Sequence, residues 1–149
     1  MQIKDVVRRI DLAGLHLHCM IRFKHRLCYI NPCLISLSSS NLGFPIGPNV
    51  TSGVCVADDN YLLSSFPSGL QGCLDIVNHH ARRHQITFNN KSKIVITGSK
   101  IDMAYFKAIA PWTLNGEKLS VVDDNEHLGL IVSGENEEQK NVDRNIMKC

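Results

Sequence analysis

Two adjacent carboxylates, Asp58 and Asp59, stand between two short apolar runs, and this arrangement constrains the fold more than any other feature of the chain. The run before them ends at Val56, and the run after them begins at Tyr61. Short apolar runs on either side of a polar turn are typical of a β-hairpin. The sequence therefore predicts a hairpin over about residues 52–65 that holds both carboxylates at its tip.

Side-by-side carboxylates such as Asp58 and Asp59 repel each other unless a cation lies between them. Mg²⁺ is commonly held by one or two carboxylates together with substrate phosphates, as in two-metal phosphoryl transfer. The pair is therefore a candidate site for Mg²⁺ or Mn²⁺. The triplet Asp58-Asp59-Asn60 recurs as Asp123-Asp124-Asn125, which directly follows Val121-Val122. Since Asp and Asn favour turns for backbone reasons, the pattern alone does not tell which pair binds a metal.

The segment after the hairpin has the spacing of an amphipathic helix. Pro67 suits the first turn of a helix, and Ser68 with Gln71 forms a candidate capping box. Apolar residues then recur on one face, at Leu70, Leu74, Val77 and Ala81. We therefore predict one helix that packs on the sheet carrying the carboxylates.

The other segments predict short elements. Helical spacing is found over residues 3–12 and 139–147, and residues 101–110 are closer to a helix than to a strand. Strands are expected at residues 86–88, 93–97 and 127–132, a strand or apolar connector at 27–35, and a loop at 36–48. Asn115-Gly116 is typical of a two-residue hairpin turn.

Composition places the chain among globular proteins. Its 149 residues, of which 44% are hydrophobic and 20% charged, allow one modest domain with a core. A net charge of +2 does not indicate a free-standing nucleic-acid binder. Basic clusters such as Arg8-Arg9 and Arg82-Arg83 are more typical of solvated helix faces than of phosphate contacts.

The sequence also bears on location and metal chemistry. Its N-terminus lacks the apolar core of a signal peptide, and no apolar run reaches the ~20 residues of a membrane span. We therefore expect a cytoplasmic or nuclear protein that is not secreted, with its six cysteines reduced. Zinc binding stays a minor alternative because the spacing of the candidate ligands is irregular. These ligands are His16, His18, Cys19, His25, Cys28 and Cys33.

Five segments in the second part of the chain follow one another in an order found in a known family. They are residues 56–59, 63–71, 90–92, 112–117 and 127–129. From about residue 47 to about residue 146 the chain resembles the C-terminal part of a reverse transcriptase palm. The family is the RNA-directed DNA polymerases that non-LTR (LINE-type) retrotransposons, a class of transposable elements, encode. In that order, the segments resemble the catalytic Asp-Asp motif, the approach to the next helix, a Lys-Ser turn, a hairpin and the primer-grip strand.

The resemblance implies a fold and a set of roles. The fold would be α+β, a partial polymerase palm with an antiparallel sheet, a catalytic-type β-hairpin and one packed helix. Asp58 would bind both catalytic metals, Mg²⁺ or Mn²⁺, Asp59 would support the site, and Lys91 would assist the leaving pyrophosphate. The primer end would be positioned by His127, Leu128 and Gly129. The implied partners are an RNA template, a DNA primer and a dNTP, without a membrane or a small-molecule cofactor.

The chain also departs from this family. Its members have another metal-binding Asp on a neighbouring strand, in a motif upstream of the Asp-Asp hairpin, and fingers that hold the template. Only 57 residues precede Asp58, too few for these parts, and residues 20–40 match no part of the family. We therefore separate a poorly matched segment, 1–46, from a palm-like part, 47–149. We expect a polymerase fragment that is inactive alone. A non-catalytic palm remnant that binds RNA or a protein stays open as the alternative.

Overall fold

The computed structural model describes residues 16–22, 30–56, 59–88, 91–127, 130–134 and 137–147. The strands are β1 (His16–Arg22), β2 (Phe44–Ile46), β3 (Asn49–Thr51), β4 (Gly53–Val56), β5 (Asp59–Ser64), β6 (Lys93–Thr97), β7 (Thr113–Leu114), β8 (Glu117–Lys118), β9 (Ser120–Val122), β10 (Asp124–His127) and β11 (Leu130–Ser133). The helices are α1 (Ile30–Ser39), α2 (Pro67–Arg83), α3 (Lys100–Ile109) and α4 (Glu137–Met147). The chain is therefore α+β, as the sequence predicts.

A five-stranded sheet in the order β4-β5-β1-β6-β9 organises the fold. The first four strands pair antiparallel, and β9 joins the edge parallel to β6. Along the chain, β1, α1, β4, β5, α2 and β6 form a split β-α-β arrangement, in which β5 lies between β1 and β4. The first of these strands, β1, is therefore the central strand of the sheet. Residues 16–22 precede the division expected at residue 46, and they belong to the same sheet as the acidic hairpin.

One face of the sheet is covered by α1 and α2, which also contact each other. On β1, the alternating residues Leu17, Cys19 and Ile21 belong to this core together with Leu74 of α2. Trp112, whose indole Nε1 donates a hydrogen bond to the Pro67 carbonyl at 2.9 Å, closes the core at the start of α2. Two helices pack here rather than the single one expected from the sequence.

The other face of the sheet carries a smaller apolar cluster. Its buried members are Met20, Tyr61, Leu63, Val95 and Val132. Partly buried residues of β2 and β9 pack against the cluster, and Val132 belongs to β11. The central strand is thus buried on both sides, as is usual for the middle of a covered sheet.

Most predictions that rest on local signals are confirmed. The hairpin expected over residues 52–65 is formed by β4 and β5. Helices are present at the expected positions as α2, α3 and α4, and a strand as β6. The Asn115-Gly116 turn joins β7 to β8, with φ angles of 53° and 81°. Positive φ at both central residues is typical of a type I′ turn.

Other predictions are wrong. Residues 30–39 form α1, where a strand or connector and a loop were expected. Residue 88 forms a single bridge instead of a strand over 86–88. α2 begins after Phe66 without a side-chain cap, so the capping box is absent. The predicted helix over 3–12 lies outside the described residues.

The strand expected over residues 127–132 is confirmed in part: β11 covers 130–133, whereas His127 ends β10, which pairs antiparallel with β11. Helix α4 holds β11 in place, since the Asn141 amide accepts a hydrogen bond from the Ile131 N–H at 2.8 Å and donates one to the Ile131 carbonyl at 2.9 Å.

Within the described ranges, none of the helices has the length and apolar character needed to cross a membrane.

Candidate functional site

Asp59 is the first residue of β5 and is half-buried. Across the hairpin it pairs with Val56, so the backbone holds it at the turn end of the two strands. Asp58, the other predicted metal ligand, lies outside the described residues. The predicted placement of the acidic pair at the hairpin tip is therefore confirmed for Asp59.

The neighbouring strand β1 brings an arginine, not a carboxylate, to this end of the sheet. In the β1–β5 register, Arg22 is opposite Asp59, and Ile21 is opposite Asn60. The seven residues of β1 contain no Asp or Glu. Directly opposite residues of an antiparallel pair stand on the same face of the sheet. The strand position next to Asp59 is therefore occupied by a cationic residue type.

Lys91 is exposed in the turn before β6. Met20 pairs with Tyr61 on one side and with Lys93 on the other, so this turn lies at the same end of the sheet as Asp59. One strand separates β5 from β6, which corresponds to about 10 Å across the sheet. The structure thus brings Lys91 and Asp59 to one end of the sheet, on either side of β1.

Of the three predicted primer-grip residues, His127 is described and belongs to the hairpin of β10 and β11. His127 is the last residue of β10, while Leu128 and Gly129 lie outside the described residues. The sequence predicts one strand over 127–132, whereas β10 ends at His127 and β11 begins at Leu130. Both strands of the hairpin contact β6.

The second acidic pair is already neutralised by lysines. Lys107 of α3 donates a hydrogen bond from Nζ to Asp123 Oδ1 at 2.6 Å. This hydrogen bond, together with the positive charges of Lys107 and Lys140, lowers the pKa of Asp123 below its ordinary value. Lys140 of α4 lies 2.9 Å from Asp124 Oδ2. These ion pairs hold both carboxylates, which disfavours a metal ion at the second pair.

The described residues do not provide a two-metal site. Within them, no group of three or more His, Cys, Asp or Glu side chains is placed to hold a metal ion. Asp59 is the single member of the first acidic pair that is described, and β1 adds no carboxylate. Mg²⁺ keeps several waters and accepts substrate phosphates, but two ions held side by side need more than one adjacent acidic pair.

The minor zinc alternative receives no support from its described members. His18 is hydrogen-bonded through both ring nitrogens, Nδ1 to the Tyr61 hydroxyl at 2.8 Å and Nε2 to Thr97 Oγ1 at 3.2 Å. Cys19 follows His18 on β1 and therefore faces the opposite side of the sheet. Cys33 is buried in the helix-covered core. These side chains do not converge on one point.

A hydrogen-bond network that the sequence did not predict is formed by His18, Tyr61 and Thr97. It joins the three central strands β5, β1 and β6 on one face of the sheet. The available signal is the alternation in β1, which puts His18 on the same face as Met20, where a histidine needs hydrogen-bond partners to be buried.

Two clefts lie elsewhere on the surface. One, of about 670 Å³, lies between the end of α2 and the β7–β8 hairpin, where Arg82 and Lys118 are among its lining residues. The other, of about 460 Å³, lies beneath α3 and includes Lys107 and Lys140 in its lining. Neither lining includes Asp59 or Lys91, although Ser92, the residue after Lys91, lines the first cleft.

Comparison of the chain with family models, curated proteins and solved structures finds no match. The observations that bear on function are therefore the order of the five sequence segments and the geometry at one end of the sheet. There, Asp59 and Lys91 flank the strand that ends at Arg22.

Proposed function

We propose that the chain is a palm fragment of a LINE-type reverse transcriptase that does not carry out nucleotidyl transfer alone. The observation that carries the proposal is the register of Arg22 with Asp59 at the end of the sheet where the acidic hairpin turns. The split β-α-β sheet supports the ancestry, because it gives the hairpin a neighbouring strand at its side. The same register supports the loss of activity, because that strand has no carboxylate.

The chemistry of the intact family explains why this position matters. There, a primer 3′-hydroxyl attacks the nucleotide α-phosphate, and paired metal ions stabilise charge on the attacking and leaving oxygens. These ions depend on carboxylates from both the hairpin and the strand next to it. Position 22, opposite Asp59 in the register, is an arginine in this chain, a residue type that supplies no carboxylate oxygen to a metal ion. Among the described residues, Asp59 is not part of any group of three or more His, Cys, Asp or Glu side chains that could hold a metal ion.

A primer-extension assay tests this proposal directly. An RNA template, a DNA primer and dNTPs are incubated with the chain in Mg²⁺ and in Mn²⁺, and we expect no extension in either. The Asp58→Ala variant is assayed beside it to identify a contaminating polymerase. Extension by the natural chain that disappears in Asp58→Ala would show a complete site and would overturn the proposal.

A metal-binding measurement tests the role of the register. The Arg22→Asp variant introduces a carboxylate opposite Asp59 in the register, and we expect it to bind Mn²⁺ more tightly than the natural chain, as measured by titration calorimetry. Adding Asp59→Asn to this variant should remove the gain. Arg83→Asp makes the same charge change at the exposed end of α2 and serves as the control. An equal gain in the control would show a general charge effect and count against the proposed site.

Retained RNA binding is the second candidate function, and the cleft at the end of α2 favours it. Arg82 and Lys118 line this cleft from opposite sides, and both are exposed. Single-stranded nucleic acid binds through basic side chains that contact its phosphates, and its affinity then falls with salt. Filter binding from 50 to 200 mM salt should give a flatter response in Arg82→Ala/Lys118→Ala than in the natural chain, with about 0.7 lost from the slope per contact. Lys100→Ala, outside the cleft, is the control. An unchanged slope in the double variant would exclude this cleft.

A further inference from the structure

Four cysteines belong to the described part of the chain, and all four are thiols. Cys19 of β1 and Cys73 of α2 are 0% exposed, and Cys33 of α1 is 2% exposed. Cys55 of β4 is only partly buried. Three of these thiols are therefore shielded by the core, whereas the fourth is accessible to a reagent in solution.

The strand register puts Cys55 on the face of the sheet that α1 covers. Across the β4–β5 hairpin, Gly53 pairs with Leu62, and Cys55 pairs with Asn60. Directly opposite residues share a face, and Leu62 belongs to the core beneath the helices. Since alternate residues of a strand also share a face, Cys55 lies on the same side as Gly53. Cys33 belongs to that core, and α1 contacts β4 directly.

The directions of α1 and β4 are fixed by close contacts at one end. Gly43 follows the end of α1, and Ser52 precedes β4; a Cβ at Gly43 would lie 2.5 Å from the Cα of Ser52. The end of α1 and the start of β4 are therefore neighbours. At the first residue of β4, a Cβ on Gly53 would lie 3.4 Å from Leu37 Cδ1. From this contact, α1 runs back over β4 in the opposite direction.

One step from that contact on each element leads to a cysteine. Cys33 lies one helical turn before Leu37, on the same buried face of α1. Cys55 lies two residues after Gly53, on the same face of β4. A helical turn rises about 5.4 Å and two strand residues rise about 6.8 Å, so the two steps have similar lengths. In agreement, burial and then the charge of Cys55 raise the pKa of Cys33 to about 11.

We propose that Cys33 and Cys55 form a redox-modification site, at which a low-molecular-weight disulfide such as oxidised glutathione links α1 to β4. The Cys55 thiolate attacks one sulfur of oxidised glutathione, so that a mixed disulfide forms and one glutathione leaves. The Cys33 thiolate then attacks the Cys55 sulfur and displaces the second glutathione. The chain loses two electrons to the oxidant, and its two thiol protons end on the two reduced glutathione molecules.

The two cysteines have different roles in this exchange. Cys55 reacts first because it is the accessible thiol. Cys33 is shielded from solution and is a thiolate in only a small fraction of molecules at neutral pH. It therefore reacts slowly, and only with the sulfur held beside it. The resulting disulfide would fix the edge strand that leads into the acidic hairpin, where the next residue pair after Cys55 and Asn60 is Val56 and Asp59.

Cys19 and Cys73 provide an internal comparison. They also lie close together, since Cys73 adds to the burial that raises the pKa of Cys19. Both are 0% exposed, so neither can attack a disulfide in solution while the chain is folded. The folded chain should therefore oxidise at Cys33 and Cys55 and leave Cys19 and Cys73 as thiols.

Peptide mapping under non-reducing conditions tests the proposal. The folded natural chain is incubated with oxidised glutathione, the remaining thiols are alkylated in urea, and mass spectrometry identifies the linked peptides. We expect a link between Cys33 and Cys55. Cys33→Ala should lose the link and stop at the mixed disulfide of Cys55 with glutathione. Cys73→Ala replaces another core thiol of the described chain and should keep the link.

The natural chain alone gives the decisive result, so the test stands even if Cys33→Ala fails to fold. A mixed disulfide that persists at Cys55 would overturn the proposal, as would the absence of any oxidation at saturating oxidised glutathione. A link from Cys55 to Cys28 or Cys149 would refute the assigned partner. An equal yield of a Cys19–Cys73 link would contradict the role of exposure. The same reaction in urea is the reference, and there the six cysteines should pair without this preference.

Discussion

Lys107 Nζ lies 2.6 Å from Asp123 Oδ1, and this ion pair connects α3 to the residue that follows β9. The side chains are 49% and 80% exposed, so solvent screens the pair and its effect on stability at neutral pH is small. The hydrogen bond from Lys107 is nevertheless the largest cause of the lowered pKa of Asp123. The same ion pair shows that a lysine distant in sequence holds the second acidic doublet, Asp123-Asp124, which the sequence pattern of the doublet does not indicate.

Replacing Lys107 by Met should raise the pKa of Asp123 toward its ordinary value. In the natural chain the folded-state pKa lies below the unfolded one, so the pair stabilises the fold above the unfolded pKa, about 3.9. That contribution is lost as the pH falls through the lower, folded-state pKa. A carboxyl ¹³C NMR titration of Asp123 measures the shift directly. Lys118→Met, on exposed β8, should leave it unchanged; an unchanged pKa in Lys107→Met would contradict the assigned cause.

Tyr61→Phe should destabilise the fold by about 1–2 kcal/mol, because it removes a buried hydrogen bond and leaves His18 Nδ1 without that partner. Urea unfolding followed by fluorescence gives the free energy of unfolding. Tyr105→Phe is the control, since Tyr105 is exposed on α3 and its loss of a hydroxyl should change stability by less than about 0.5 kcal/mol. Equal effects in both variants would show that the link between β5 and β1 contributes no specific stability.

Trp112 is the single tryptophan of the chain and is 1% exposed, so its emission should shift to longer wavelength when the core opens. Trp112→Ala should cost about 3–5 kcal/mol through the cavity it leaves. Trp112→Phe keeps most of the volume and loses the hydrogen bond to the Pro67 carbonyl, so it should cost less. Circular dichroism during urea unfolding measures both. A smaller cost for Ala than for Phe would refute the packing described here.

Gly69→Ala should destabilise α2, although Ala favours helices by about 1 kcal/mol over Gly. A Cβ at Gly69 would lie 2.4 Å from Ser64 Oγ and 2.7 Å from the Leu42 carbonyl oxygen, which belongs to the backbone. At Gly72 the nearest atom, at 2.5 Å, is the end of the flexible Leu42 side chain. Gly72→Ala should therefore be tolerated, and thermal unfolding of the two variants compares them. A gain in stability for Gly69→Ala would show that the close approach is absent.

Cys33 and Cys73 should resist alkylation in the folded chain at pH 8. Burial raises the pKa of each to about 11, and burial also raises the pKa of Cys19 far above its ordinary range. Since the thiolate is the reactive form, these thiols should react only after unfolding. Peptide mass spectrometry after iodoacetamide treatment, with and without urea, measures the alkylated fraction of each cysteine. Rapid labelling of any of the three without urea would contradict its burial.

Local chemistry explains which elements were predictable. The acidic doublet between apolar runs indicates β4 and β5, and Asn115-Gly116 supplies the positive φ angles that the β7–β8 turn needs. α1 was missed because Pro32 interrupts an apolar run, yet it lies in the first turn, where a missing N–H breaks no helical hydrogen bond. The α2 capping box failed because Gln71 instead exchanges two hydrogen bonds with the Thr113 backbone.

The candidate site was predictable only in part, because its character depends on contacts distant in sequence. Two acidic doublets with the same flanking pattern cannot be ranked by residue type, but Lys107 and Lys140 reach the second one from separate helices. Likewise, Arg22 becomes the neighbour of Asp59 only through the pairing of β1 with β5. Such registers follow from burial of both faces of the sheet, not from a local signal.

The central position of β1 has a consequence for biosynthesis. β1 is synthesised well before its partners β5 and β6, which are Asp59–Ser64 and Lys93–Thr97. At about 5–20 residues per second, several seconds separate the synthesis of β1 from that of its second partner. A nascent chain that stops before Thr97 therefore carries a central apolar strand with an unpaired edge. Such products should be held by chaperones or aggregate, whereas chains that extend past β6 can bury the strand.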